Sequence, residues 1–181
     1  MGVTSALLTV EQYAQLPEEE TMRTELIEGE IVPMGDAKLL HELVKTNCIE
    51  ILADYTSRNP IAKLFSESIY KLGPRTGRIP DVSLLLKTRL AQLDRSGFLE
   101  GAPDLAFEVV SSESAAFLER KINQLLSNGC RVFWVAYPEE RTILVRRAHG
   151  SPQYLKEGDY LEEPDMLPGF RVPVSRFFDE I

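Results

Sequence analysis

Two acidic residues and one lysine lie in stretches where the sequence predicts apolar surroundings. Asp81 follows a proline and opens an apolar strand, whereas Glu108 lies in the middle of the apolar run 104–111. With the period of two that a strand imposes, Glu108 shares its face with Ala106 and alternates with the large apolar residues of the run. A buried carboxylate is costly unless a cation or hydrogen bonds compensate it. Glu108 is therefore either half of a buried ion pair or part of a functional site.

Lys121 lies on the apolar side of a helix predicted over 113–127. At about 100° per residue, it falls within an arc of apolar residues formed by Phe117, Leu118, Ile122, Leu125 and Leu126. A lysine in this position either extends its ammonium to solvent or meets a buried anion. Glu108 is the expected partner, because its strand directly precedes the helix.

These three residues have the composition of a site for metal-assisted phosphodiester hydrolysis. Asp81 and Glu108 supply the oxygen ligands that Mg²⁺ or Mn²⁺ prefers. Such a cation polarises a phosphate and activates a water molecule, and the Lys121 ammonium can stabilise charge on the phosphate oxygens. A second Pro-Asp pair ends at Asp104, and for each pair alone a turn at the start of a strand is the simpler interpretation.

The elements that must position these residues follow the order ββ-α-βββ-α-ββ. The periodicity and turn signals predict a short helix opened by a capping box at Thr9 and a long helix capped by Asp36 that ends at Asn59. The predicted strands are 24–27, 31–32, 61–65 and 68–72 as one run broken near Glu67, 79–86, 105–110, 132–136 and 142–147. This order predicts an α/β (α+β) fold, a mixed β-sheet with flanking helices.

The length of 181 residues predicts a single domain over 1–181, with its core at 9–148 and a C-terminal hairpin and tail at 149–181. No apolar run approaches the roughly 18 residues of a membrane span, so no membrane partner is expected. The first residues lack the basic stretch of a secretory signal. The only two cysteines, Cys48 and Cys130, are far apart and are expected to be buried and reduced, which favours a cytoplasmic location.

The net charge of −8 argues against a non-specific nucleic-acid binder, because phosphate neutralisation needs clustered cations. The charge is uneven, since residues 1–30 carry a net −6 and residues 151–181 a net −4, whereas residues 61–100 carry +3. Asp81 lies in this basic stretch, where Arg75 and Arg78 are candidates to meet phosphates.

Taken in order, these motifs resemble the Uma family of putative restriction endonucleases, within the PD-(D/E)XK nuclease superfamily. The resemblance covers roughly residues 9–148 and rests on Glu25-Leu-Ile-Glu-Gly-Glu-Ile31, His41, Arg78-Ile-Pro-Asp-Val82, Gly101-Ala-Pro-Asp-Leu105, Glu108-Val-Val-Ser111, Lys121, and Gly129 before the strand of Trp134. It implies a restriction-endonuclease-like fold, an endonuclease acting on DNA with Mg²⁺ or Mn²⁺, Asp81 and Glu108 as metal ligands, and Lys121 as the catalytic lysine.

The resemblance also implies auxiliary or rim positions for Glu25 and His41, which the sequence alone would place on the surface of a hairpin and at the edge of a helix. The superfamily's usual lysine position, two residues after the second acid, is Val110 here. The family's frequent tyrosine, four residues after the helix lysine, is replaced by Leu125.

Two further functions remain open from the sequence. One is a catalytically inactive binding or assembly module of the same fold, in which Glu108 and Lys121 are only an ion pair. The other is a small-molecule hydrolase with the same metal site. A homodimer is expected by analogy, because two strands of DNA require two sites.

Overall fold

A computed structural model describes residues 7–35 and 38–181. Its helices are α1 (Val10–Tyr13), α2 (Glu18–Thr21), α3 (Leu39–Arg58), α4 (Lys87–Leu90), α5 (Ala115–Ser127) and a 3-10 helix (Val174–Phe178). Its strands are β1 (Thr24–Ile27), β2 (Glu30–Pro33), β3 (Ala62–Ser66), β4 (Tyr70–Gly73), β5 (Thr76–Arg78), β6 (Val82–Leu86), β7 (Leu99–Glu100), β8 (Leu105–Val109), β9 (Val132–Tyr137), β10 (Thr142–Arg147), β11 (Gln153–Lys156), β12 (Tyr160–Glu162) and β13 (Arg171–Pro173).

The main sheet is mixed and has six strands in the order β11-β10-β9-β8-β6-β3. Only β8 and β9 pair in parallel within it. Helix α3 and the C-terminal segment cover one face, and α5 covers the other. Strand β8 alternates as the sequence predicts, with Leu105, Phe107 and Val109 toward α3 and Ala106 toward α5. The predicted mixed sheet with flanking helices is confirmed.

A second sheet has five strands in the order β2-β1-β5-β4-β7. The prediction of one strand run over 61–72 is therefore wrong, because its two halves belong to different sheets. Strand β3 belongs to the main sheet and β4 to the second sheet. The chain leaves one sheet for the other at Glu67, whose φ of 47° lies in the left-handed region. The strand predicted over 79–86 is shorter in the structure and begins at Val82. The preceding strand, β5, lies in the second sheet, and the chain returns to the main sheet between β5 and β6.

The two long helices lie close to their predicted positions. Helix α3 has Lys38 at its N-cap, and the predicted cap Asp36 lies outside the described residues. Helix α5 begins after Ser114, whose side chain accepts a hydrogen bond from the backbone N–H of Phe117. Its start differs from the prediction by two residues, which is the usual uncertainty of a helix end.

The C-terminal segment contributes large side chains to the core. Phe170 stacks on Trp134 with ring centroids 5.6 Å apart, and Phe177 contacts the same indole edge-on. Phe177 and Phe178 pack on the main sheet. None of the helices within 7–35 and 38–181 combines the length and hydropathy needed to cross a membrane.

Candidate active site

A small, partly open cavity of about 20 Å³ lies where the start of β6 meets the end of β8. Its volume is close to that of one water molecule. The five residues assigned to the site from the sequence and the family resemblance line it, namely Glu25, His41, Asp81, Glu108 and Lys121. They come from the hairpin β1–β2, helix α3, the residue before β6, strand β8 and helix α5, so five separate segments form one site.

Glu108 and Lys121 form a buried ion pair across the interface between β8 and α5. Lys121 Nζ lies 2.6 Å from Glu108 Oε1, donates to the carbonyl oxygen of Ile79 at 2.8 Å, and lies 3.2 Å from Glu25 Oε1. The side chain is 3% exposed, so its ammonium does not extend to solvent. Three partners match the three donors of an ammonium group.

Asp81 reaches Glu108 because β6 and β8 are antiparallel and pair Val82 with Phe107. The backbone N–H of Asp81 donates to Glu108 Oε2 at 3.3 Å, and Asp81 Oδ2 accepts from the N–H of Val109 at 2.8 Å. Burial opposes the charge of Asp81, but the hydrogen bond and charge of His41, the charge of Lys121 and the N–H of Val109 together outweigh it and lower the pKa of the carboxyl group. Asp81 is therefore held ionised at the edge of the sheet.

His41 lies in the first turn of α3, near the edge of the helix as the sequence suggested, but its side chain is buried. Its Nε2 is 3.1 Å from Asp81 Oδ2, and its Nδ1 is 3.3 Å from Glu42 Oε1. Burial alone would lower its pKa, but Asp81 and Glu42 raise it. The ring thus lies between two carboxylates that favour its protonated form.

Glu25 is fully buried, so its predicted place on the hairpin surface is wrong. Its Oε2 lies 2.6 Å from the Arg78 guanidinium, and its Oε1 accepts from the N–H of Ile79 at 2.6 Å. Burial would raise the pKa of Glu25, but Lys121 and Arg78 lower it. Glu25 therefore joins the second sheet to the lysine of α5.

Arg78 cannot meet a phosphate in the manner expected from the charge distribution, because none of its side chain is exposed. Its Nε donates to Gln124 at 2.8 Å, and its guanidinium lies 5.1 Å from the centre of the Phe117 ring. Lys71, from the same basic stretch, is paired with Glu11 and Glu100. Ion pairs thus neutralise part of the net positive charge of 61–100, whereas Arg75 remains exposed.

The electrostatics of the cavity are set by burial and by the balance of its charges. Burial, with the charges of Asp81 and Glu25, raises the pKa of Glu108 well above its ordinary value despite the opposing effect of Lys121. The pKa of Lys121 is also raised, because the three carboxylates outweigh its burial. Lys121 is therefore held in its charged form among these carboxylates.

Glu113 is a site residue that the sequence did not reveal. It lines the same cavity, its Oε2 accepts from Ser111 Oγ at 2.8 Å, and its buried Oε1 has no hydrogen-bond partner within the described part of the chain. Gly35 packs against this segment so closely that an added Cβ would lie 2.7 Å from Ser111 Oγ. The polar run 111–114 is typical of a helix N-terminus, so no signal in the sequence separated Glu113 from a capping residue.

The residues of this cavity fit a hard divalent cation. Asp81, Glu108 and the unpartnered oxygen of Glu113 are carboxylate oxygens, the ligand type that Mg²⁺ and Mn²⁺ prefer. In the residues that the structure describes, no three His, Cys, Asp or Glu side chains are grouped closely enough to enclose a metal ion.

Asp104 has a different place from Asp81, although each follows a proline. It lies at the opposite end of the β6–β8 pair, where its Oδ2 accepts from the backbone N–H of Leu86 at 2.8 Å. Arg89 is 3.7 Å from the other oxygen. Asp104 is thus a turn residue that joins the two strands, as the simpler interpretation of a Pro-Asp pair predicts.

Comparison with known proteins identifies the family of this chain. The profile of the Uma2 family, described as "Putative restriction endonuclease", matches residues 10–175. The chain belongs to this family. The Uma2 match extends beyond the 9–148 region recognised from sequence motifs and includes most of the C-terminal segment that packs on the main sheet.

The fold also resembles that of a solved structure, described as a putative nuclease belonging to DUF820 from Anabaena variabilis. The two chains superpose with a TM-score of 0.81 at 23% sequence identity, over 94% of this chain and 97% of the other. This likeness confirms the predicted fold class. Among curated proteins, no sequence matches the chain.

Proposed function

We propose that this Uma2 protein is an endonuclease that hydrolyses DNA phosphodiester bonds with the help of Mg²⁺ or Mn²⁺. The observation that carries the proposal is the burial of Asp81, Glu108 and Lys121 around one ion-sized cavity. Membership of a family described as restriction endonucleases supports the substrate class. Asp81 and Glu108 would hold the cation, and Glu113 is available as a further oxygen ligand.

A bound divalent cation would polarise the scissile phosphate and lower the pKa of a water molecule that it holds. The contacts of Asp81 support its proposed role as a ligand of the cation, since His41 and the N–H of Val109 fix the orientation of its carboxylate. His41 acts as a positioning residue, because it touches Asp81 and lies on a different element.

Lys121 would orient the attacking water and stabilise the charge that develops on the phosphate oxygens. Its ammonium is held between Glu108, Glu25 and the carbonyl of Ile79. Glu108 would have to share its carboxylate between the lysine and a bound cation. Glu25 would keep the lysine in place, because its Oε1 lies 3.2 Å from Lys121 Nζ while its Oε2 is held by Arg78.

Asp81→Asn tests the metal site, with Asp104→Asn as a matched control. Both residues follow a proline and are buried beside the same two strands, but at opposite ends of them. We expect calorimetry to detect Mn²⁺ binding to the unaltered protein and to Asp104→Asn, and to detect none in Asp81→Asn. Plasmid cleavage with Mg²⁺ should follow the same pattern, with a loss of at least about 100-fold in Asp81→Asn.

Two results would contradict the proposal. Cleavage by Asp81→Asn at the rate of the unaltered protein would exclude the assigned metal site. Absence of metal binding at millimolar concentrations in the unaltered protein would favour a non-catalytic module, in which Glu108 and Lys121 serve only as an ion pair.

We further propose that the active form is a homodimer, since cutting both strands of a duplex requires two sites. Sedimentation equilibrium is expected to give twice the mass of one chain, and crosslinking at low protein concentration should yield the dimer. A strictly monomeric mass across the concentrations at which DNA is cleaved would exclude this arrangement.

A further inference from the structure

A second cavity, of about 400 Å³, adjoins the candidate active site. It shares His41 and Ser111 with the smaller cavity that holds the carboxylates. Its volume lies in the range of small-molecule binding sites, whereas the first cavity has room for little more than an ion. A substrate whose phosphate lies at the first cavity would therefore place a group next to that phosphate in the second cavity.

The walls of this cavity differ in polarity. Leu40, Val110 and Pro138 supply apolar surface, while Glu139 and Glu140 lie exposed at the end of β9. Two carboxylates repel a phosphate group, so the end near them is unsuited to the nucleic-acid backbone. A flat, largely apolar group that presents hydrogen-bond donors suits both walls.

Among the parts of a nucleotide, a base with an exocyclic amine has these properties. The amines of cytosine and adenine donate to carboxylate oxygens, whereas thymine and uracil present a carbonyl at the corresponding position. The apolar wall would contact the face of the ring. Lys38 lies on the lining of the same cavity and is exposed, so it is available to the sugar-phosphate chain that leaves it.

We propose that the cavity lined by Leu40, Val110, Pro138, Glu139 and Glu140 binds a cytosine or adenine base next to the scissile phosphate. This inference rests on the proposed nuclease function for its substrate class. The base must be unstacked to enter, since the apolar wall contacts the face of its ring, which neighbouring bases cover in a duplex. The site therefore favours single-stranded or locally opened DNA at that position.

The test compares two labelled tetranucleotides, dC4 and dU4, whose bases differ in the amine or carbonyl at C4 and in the hydrogen that uracil carries on N3. Binding is measured by fluorescence anisotropy in EDTA, so no cleavage is needed. We expect dC4 to bind about fivefold more tightly than dU4. The double variant Glu139→Gln/Glu140→Gln should reduce this ratio, because neutral amides both donate and accept.

Leu40→Trp places a large side chain in the cavity, and Leu39→Trp is its matched control. Leu39 is the neighbouring residue, is 76% exposed, and does not line the cavity. We expect Leu40→Trp to abolish the preference for dC4 and Leu39→Trp to retain it. Equal binding of the two oligonucleotides by the unaltered protein, or a preference that survives in Leu40→Trp, would overturn the proposal.

The outcome is separable from that of the nuclease assay. Metal-dependent DNA cleavage without any preference for dC4 would remove the base site and leave the nuclease intact. A preference for dC4 that Leu40→Trp abolishes, in a protein that cleaves no DNA, would support the base site and remove the nuclease.

Discussion

Replacing Lys121 by methionine is expected to lower DNA cleavage by at least about 100-fold and the free energy of unfolding by about 3–5 kcal/mol. Methionine preserves much of the packing of the lysine side chain but removes its charge. Glu108 and Glu25 would then remain buried near Asp81 with one cation fewer. Plasmid cleavage measures the first effect, and urea unfolding followed by circular dichroism measures the second.

Lys63→Met is the matched control, because Lys63 is exposed on the edge strand β3. The free energy of unfolding of the Lys63→Met variant is expected to change by less than about 0.5 kcal/mol, and its cleavage activity should not change. Adding Glu108→Gln to Lys121→Met should restore part of the stability, since one uncompensated carboxylate is removed. Cleavage should stay low in that double variant, and full cleavage by Lys121→Met would exclude the catalytic role.

Arg78→Met is expected to destabilise the protein by about 3–5 kcal/mol, because it leaves the buried Glu25 carboxylate without its closest cation. In a chain of this size the melting temperature should fall by roughly 10 °C. The substitution also removes the hydrogen bond from Arg78 to Gln124 and the contact of the guanidinium with the Phe117 ring. Cleavage measured well below the new melting temperature should decrease, since Glu25 helps to hold Lys121.

Arg75→Met provides the comparison, three residues earlier in the same segment. Arg75 is exposed, so its replacement should change the melting temperature by no more than about 2 °C. Equal destabilisation by both variants would mean that net charge, rather than the buried Glu25–Arg78 pair, determines the stability of this region. A neutral effect of Arg78→Met would show that Glu25 needs no cation other than Lys121.

The pairing of Glu108 with Lys121 could be predicted because both signals are local. An acid inside an apolar strand and a lysine inside an apolar helical arc each conflict with the cost of burying charge. The strand and the helix are adjacent in the chain, so their buried faces meet with a short connection. Asp81 was recognisable as an acid after a proline at the start of an apolar strand, and the antiparallel register of β6 and β8 brings that residue to Glu108.

Glu25 and His41 were recognisable only by resemblance, since their local sequences resemble an exposed hairpin and a helix edge. Both are buried by contacts with residues more than 35 positions away: Glu25 with Arg78 and Lys121, and His41 with Asp81. Glu113 had no signal of its own, because a polar residue before a helix is ordinarily a capping residue.

The sequence by itself determined the mixed α/β fold class, the strand and helix that carry Glu108 and Lys121, and the membership of a nuclease family. Only the tertiary structure decided that Glu25, His41 and Arg78 are buried with that pair. It separated Asp81 from Asp104, placed Arg78 inside the protein, and divided the strands between two sheets. The physical reason is the separation along the chain of the residues involved. Periodicity shows which face of one element avoids water, whereas the partners of a buried charge depend on the packing of elements that are distant in the chain.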